Sequence, residues 1–180
     1  LGNGSFAGLL RGADAVVRLD GDGEELQRLA APSGASGWAV DGSGALWVVG
    51  EGSNAVARYR LAADGLVADG SWRVAAARSL RDVAVAPSGR LFFADRHRGR
   101  ILMSAEAVGR ESALRPVAPP RGDSTEESVD TVAPSDHSTG ARGSDPAELK
   151  VVPIASCGGA LDVSVVGGVL VANCMLDHRV

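Results

Sequence analysis

Hydrophobic and polar residues alternate in short runs along this chain, and the runs end at glycine, proline, aspartate or serine. The clearest case is the segment 79–103, in which Val83 and Val85 alternate with alanines before the turn 87–89. A second apolar run at 91–94 follows, and a charged loop then leads to a third. Two-residue alternation broken by glycine-containing turns predicts β-strands joined by tight hairpins.

This pattern occurs three times. Aligned on the hairpin turn, the segments 37–49, 82–94 and 162–173 each contain two apolar runs around a turn that holds glycine. Such turns need the positive φ angles that glycine adopts without steric cost. The chain therefore consists of repeats, and its first 31 residues match the later part of a further copy.

Third strands are predicted at regular intervals. They begin at Val16, Val56 and Ile101, which lie 40 and 45 residues apart, and another begins at Val180. Fourth strands are predicted at 26–30, 72–77 and 149–155. A four-stranded unit of about 40–50 residues is the signature of a β-propeller blade. The sequence predicts an all-β fold, an incomplete β-propeller of four-stranded antiparallel blades. A β-sandwich with similar hairpins is the alternative.

The predicted blades divide the chain into about three to four units. Their approximate bounds are 1–31, 35–77, 80–155 and 160–180. The segment 117–145 is rich in serine, threonine, acidic residues, glycine and proline, so we predict a disordered insertion between a third and a fourth strand. Propellers close with about four to eight blades, so we expect the same chain to have further blades beyond these 180 residues.

The repeat unit resembles NHL repeats and the related YncE-like and gluconolactonase-like propellers. In those families a segment of the form VAV-x-x-x-G-x-L-(F/W)-V-A-D-x-x-x-x-R-I ends in an aspartate and a basic-apolar pair. Here Asp95 and the pair Arg100-Ile101 match best, whereas Gly50 and Cys174 replace the aspartate in the neighbouring copies. The resemblance covers nearly the whole chain outside the insertion. It implies a propeller of six or seven blades but specifies no activity.

Charge and composition narrow the classes of function. The formal net charge of −4 and the pI near 5.4 argue against a nucleic-acid partner, because such binders need a clustered positive face. No apolar stretch approaches the roughly 20 residues of a membrane span. The basic residues are almost all arginine, which indicates a GC-rich bacterial genome. We expect a protein of the periplasm or the extracellular space.

One charged loop is a candidate ligand-binding site. In a propeller, the loops after second and fourth strands share one face, and ligands usually bind there. The most charged of these loops contains Asp95, Arg96, His97, Arg98 and Arg100. Its guanidinium groups suit carboxylate or phosphate. The alternative is a solvated loop in which Asp95 pairs with a nearby arginine.

Two aspartates occupy equivalent positions near the start of predicted inner strands. They are Asp82 and Asp162, and Gly37 stands at this position in the other copy. One hypothesis places them along the central channel, where they bind a cation or a polar ligand. In the alternative, favoured here, their carboxylates accept hydrogen bonds from backbone amides.

A metal-dependent lactonase is an alternative function. An enzyme of the gluconolactonase kind needs a glutamate, an asparagine and an aspartate at the channel mouth, and such oxygen ligands suit hard cations. Glu51, Asn173 and Asp95 lie on the predicted loop face, although at non-equivalent repeat positions. Under this alternative the cofactor is calcium or zinc. The leading interpretation predicts no cofactor.

The two cysteines are enough for one disulfide if the compartment is oxidising. In strict antiparallel register Cys174 would lie opposite Leu161, which is too far from Cys157 for a bridge. The flexible pair 158–159 (GG) could fold the loop back and close this gap. The other possibility is a pair of small, partly buried thiols.

The leading function is non-catalytic. We predict a rigid platform whose loop face binds a protein or a small-molecule ligand. The alternatives are a gluconolactonase-like lactone hydrolase that uses a divalent cation, and an accessory propeller domain of a larger redox or other enzyme.

Overall fold

A computed structural model describes residues 4–63, 65–108 and 146–175. The predicted insertion 117–145 lies outside these ranges, as does the strand predicted to begin at Val180. The strands of the described part are β1 (Phe6–Leu10), β2 (Ala15–Leu19), β3 (Glu25–Ala30), β4 (Ala35–Val40), β5 (Leu46–Gly50), β6 (Ala55–Ala62), β7 (Gly65–Arg73), β8 (Leu80–Val85), β9 (Leu91–Asp95), β10 (Arg100–Ser104), β11 (Ala147–Glu148), β12 (Val151–Ser156), β13 (Ala160–Val166) and β14 (Val169–Cys174).

These strands form four sheets that follow one another along the chain. The sheets have the orders β1-β2-β3, β4-β5-β6-β7, β8-β9-β10-β12 and β13-β14, and β11 adds to the outer edge of β7. Except for the short parallel strand β11, all pairs are antiparallel. Each sheet is thus a meander, as in a propeller blade. The predicted all-β class with antiparallel four-stranded blades is confirmed.

Neighbouring sheets pack face to face. The innermost strands β4, β8 and β13 contact one another in that order. The largest hydrophobic cluster lies between the second and third sheets and includes Trp47, Trp72 and Phe93. Smaller clusters around Val48 and Ala84 join the first sheet to the second and the third to the fourth. The chain is therefore an incomplete β-propeller, in which apolar side chains of successive blades fill the space between them.

One predicted strand was wrong in position. The fourth strand of the second sheet is Gly65–Arg73, not 72–77. It pairs with β6 directly after a short connection, beginning at Ala62 opposite Gly65. Glycine, alanine and aspartate interrupt the apolar alternation of this segment, so its pattern gave no strand signal. Trp72 lies near the end of the strand, where its ring packs 5.3 Å from that of Trp47.

The described part of the chain contains no helix long and apolar enough to cross a membrane. Its single helical element is one 3-10 turn at Arg11–Ala13.

Candidate functional site

The last three sheets share one feature at the same end. The final residue of each second strand lies opposite the first residue of the inner strand, and a bulge follows on the inner strand. The three pairs are Gly50 with Ala35, Asp95 with Leu80, and Cys174 with Ala160. This register brings the loop after each second strand beside the loop that enters the inner strand. We call this end of the sheets the loop face.

At Gly50 the two loops are in backbone contact. A Cβ at this position would overlap the carbonyl oxygen of Ser33, so only glycine fits without movement. The amide of Glu51 donates to the carbonyl of Gly34 at 2.8 Å. The second sheet therefore holds its two loops together by backbone packing and a backbone hydrogen bond.

At Asp95 the equivalent contact is an ion pair. Its carboxylate is fully buried and accepts from Arg100 Nε at 3.1 Å. The other oxygen accepts from the amide of Arg78, in the loop that enters β8, at 3.4 Å. Asp95 thus ties the two loops together instead of facing solvent, which is the local pairing considered as the alternative for this residue. Arg100 also donates to the carbonyl of Ala76.

At Cys174 the contact is covalent. Cys157 and Cys174 form a disulfide, with their Cα atoms 5.5 Å apart. The strict register expected from the sequence is wrong, because Ala160 lies opposite Cys174 and Leu161 occupies the bulge. This shift brings Cys157 one residue nearer to its partner. Gly159, with φ at +62°, turns the intervening loop back.

Glu51 joins the second and third sheets on the loop face. Its carboxylate accepts from Arg81 Nη1 at 2.7 Å and from Arg96 Nη1. Partial burial by itself would raise the pKa of Glu51, but the hydrogen bonds and charges of Arg96 and Arg81 outweigh it and lower the pKa. Two guanidinium groups, one from strand β8 and one from the loop after β9, thus converge on one carboxylate.

Two exposed arginines and one exposed histidine lie on the same loop face. Arg78 Nη1 lies 3.3 Å from His97 Nε2, and Arg98 Nη1 donates to the carbonyl of Ala76 at 2.6 Å. Within the described ranges, no carboxylate lies within ion-pair distance of Arg78, His97 or Arg98. We call Arg78, Arg96, His97 and Arg98 the basic cluster. Its members from the 95–100 loop were candidates from sequence. Arg78 was not among those candidates, because its only signal was its place in a neighbouring loop of the same predicted face.

Asp82 lies on the inner strand β8 and contacts the inner strands β4 and β13 on either side. Its Oδ2 accepts from the amide of Val163 on β13 at 2.9 Å, as the backbone hypothesis for this residue proposed. Its Oδ1 occupies space that a Cβ on Gly37 of β4 would fill. Burial first, and then the neighbouring Asp162 carboxyl, raise the pKa of Asp82 to about 6, against the lowering effect of backbone amides. Asp162 itself is exposed.

Replacing Asp82 with asparagine should remove a pH dependence of stability. Because the pKa of Asp82 is higher in the fold than its ordinary 3.8, the folded chain binds the proton more tightly, and stability falls as pH rises from about 4 to about 6. Two pKa units correspond to at most about 3 kcal/mol, and partial solvation of the carboxyl reduces this to about 1–2 kcal/mol. We expect D82N to be more stable by that amount at pH 7.5 in thermal melts. D22N, at an exposed turn, is the control and should follow the unmodified chain. A D82N melting profile that still falls between pH 4 and 6 would contradict this assignment.

The structure places the three residues considered for a divalent cation in different surroundings. Both Glu51 oxygens are bound by arginine, and Asp95 is buried in its pair with Arg100. Asn173 lies opposite Asp162 on the fourth sheet. Among the described residues, no group of three histidine, cysteine, aspartate or glutamate side chains is arranged to hold a metal ion.

Comparison with known proteins gives structural neighbours only. No protein-family model matches the chain, and no curated protein matches it. Among solved structures, dihydro-heme d1 dehydrogenase NirN in complex with DHE aligns at 21% identity and a TM-score of 0.46, covering 57% of this chain and 22% of NirN. A streptogramin B lyase aligns at 15% identity and 0.45, covering 58% and 35%. Inactive virginiamycin B lyase from Staphylococcus aureus with quinupristin aligns at 14% and 0.45, covering 57% and 34%.

The chain therefore spans about a fifth to a third of the length of these neighbours. The fold assignment rests on the strand order and packing of the chain itself.

Proposed function

We propose that this chain is a non-catalytic binding platform whose basic cluster binds a ligand that carries carboxylate groups. The observation that carries the proposal is the pair of exposed guanidinium groups of Arg78 and Arg98, which, with His97 between them in the cluster, have no carboxylate partner in the described part of the chain. Because these guanidinium groups are exposed, a bound carboxylate can form charge-assisted hydrogen bonds with them.

The carboxylate preference follows from Glu51. Arg81 and Arg96 already hold its carboxylate from two directions, which shows that guanidinium groups of this face can converge on that shape. The Arg98 guanidinium already donates a hydrogen bond to the carbonyl of Ala76, which restricts its position. Because a group fixed before binding loses little entropy on binding, this support favours affinity for an anion.

The wider assignment belongs to the same proposal. The resemblance of the repeat unit to NHL and YncE-like propellers supports a platform role, and a bacterial source with a periplasmic or extracellular location accompanies it. The carboxylates have two possible sources, an acidic segment of a partner protein or a small polycarboxylate. Both sources present carboxylate groups to the basic cluster, so the experiment uses one probe of each kind.

Calorimetric titration at low ionic strength tests the proposal. Citrate and a hexaglutamate peptide serve as the small-molecule and peptide probes. We expect the double variant R78Q/R98Q to bind the preferred probe about 5- to 30-fold more weakly, because two exposed charge contacts contribute about 1–2 kcal/mol together. The affinity should also fall with added salt.

The control is R60Q/R90Q, which removes the same charge at the opposite end of the second and third sheets. It should bind as the unmodified chain does. Saturable binding of neither probe, or equal losses in the two double variants, would overturn the proposal.

A further inference from the structure

The disulfide lies directly against the loop that carries most of the basic cluster. The amide of Cys157 donates to the carbonyl of Gly99 at 2.6 Å. The two backbones are also in close contact at the Cys157 carbonyl, because a Cβ on Gly99 would come within 3.0 Å of its oxygen. The position of Gly99 therefore depends on where Cys157 is held.

Gly99 in turn sits between two cationic residues. Arg98 and Arg100 both donate to the carbonyl of Ala76, which lies in the loop that joins the second and third sheets. The loop 95–100 is thus held on one side by Ala76 and on the other by Cys157. A shift at Gly99, whose φ of +57° suits glycine, would change the direction of the Arg98 side chain beside it.

Besides the disulfide, the burial of Cys157 and two backbone hydrogen bonds hold the loop 157–159. It contains two glycines, and Gly159 accepts from the Met175 amide at 3.2 Å. At the equivalent points of the other sheets, Gly50 uses backbone packing and Asp95 uses an ion pair. Of these three contacts, the one at Cys174 is the one that a thiol reductant can open. Cys174 is also exposed, so a reductant can approach its sulfur.

We propose that the Cys157–Cys174 disulfide is a redox control of the basic cluster, which binds anions in the disulfide state and more weakly in the dithiol state. This inference rests on the proposed function. A dithiol reductant supplies the two electrons: its thiolate attacks Cys174 Sγ and releases the Cys157 thiolate. Its second thiolate then displaces Cys174, so that the reductant leaves as a disulfide and the protein holds two thiols.

Two measurements on the whole chain test this inference. Calorimetric titration with the probe that binds the disulfide form compares that form with protein treated with dithiothreitol. We expect affinity to fall about 5- to 10-fold, near the lower end of typical coupling between sites. Hydrogen exchange measures the amides of 95–100 and 157–159 without any ligand, and we expect faster exchange in both segments after reduction.

The double variant C157S/C174S is the matched control. Without reductant it should resemble the reduced chain in affinity and exchange, and dithiothreitol should then change neither. Unchanged affinity on reduction would overturn the proposal, even if exchange became faster. If the disulfide form binds neither probe, the proposed function fails at that step, and the exchange result separately decides whether the disulfide fixes the loop.

Discussion

Replacing Asp95 with alanine is expected to lower the free energy of unfolding by about 2–4 kcal/mol at neutral pH. The carboxylate is fully buried, and Arg100 Nε lies 3.1 Å away with its side chain 22% exposed. Removal of Asp95 leaves the guanidinium partly buried without its counter-charge and leaves the Arg78 amide without its acceptor. The cost is below that of a fully buried pair because water reaches part of Arg100.

Urea unfolding of D95A and D95N separates the two parts of this cost. Asparagine retains an acceptor for the Arg78 amide but no charge for Arg100, so D95N should lie between D95A and the unmodified chain. The comparison variant is D69A, since Asp69 pairs with Arg58 and Arg60 at a more exposed site. It should cost about 1 kcal/mol or less. Equal losses in D95A and D69A would show that burial does not strengthen the Asp95 pair.

The fold could be predicted because its signal is local. Each hairpin combines two-residue alternation with a glycine turn, and these features recur at the same spacing in successive sheets. The strand Gly65–Arg73 was misplaced because its pairing partner β6, not its own apolar pattern, determines it. The strand β11 has only two residues and pairs with the edge of another sheet, so no pattern within it indicates a strand.

The site could be predicted only in outline because its contacts connect distant parts of the chain. The charged loop after β9 was recognisable from its arginines. The pairing of Glu51 with Arg81 and Arg96 joins residues 30 and 45 positions apart, and no motif carries that information. For Asp95 the residue was recognised from the sequence, but its role was not. Its sequence context permits a ligand or an ion pair, and burial beside Arg100 decides for the ion pair.

For the replacement of Gly50 with aspartate, the repeat pattern and the packing predict opposite effects on stability. The repeat pattern suggests that aspartate belongs here, since Asp95 occupies the same position in the next sheet. The structure predicts a loss of at least about 4 kcal/mol, from overpacking and from a buried charge without a partner. A side chain at Gly50 would overlap the Ser33 carbonyl, and Ala55 stands where Arg100 pairs with Asp95 in the next sheet.

Urea unfolding of G50D, G50A and G12D tests this contrast. G50A introduces the overlap with Ser33 but no charge, so the difference between G50A and G50D isolates the cost of the unpaired carboxylate. Gly12 is exposed and has open space around its Cβ position, so G12D should change stability by less than about 0.5 kcal/mol. If G50D were as stable as the unmodified chain, the loop before β4 would have moved to admit the side chain. The three equivalent positions would then tolerate exchange of their residues, and the backbone contact at Gly50 would not be what fixes the loops of the second sheet.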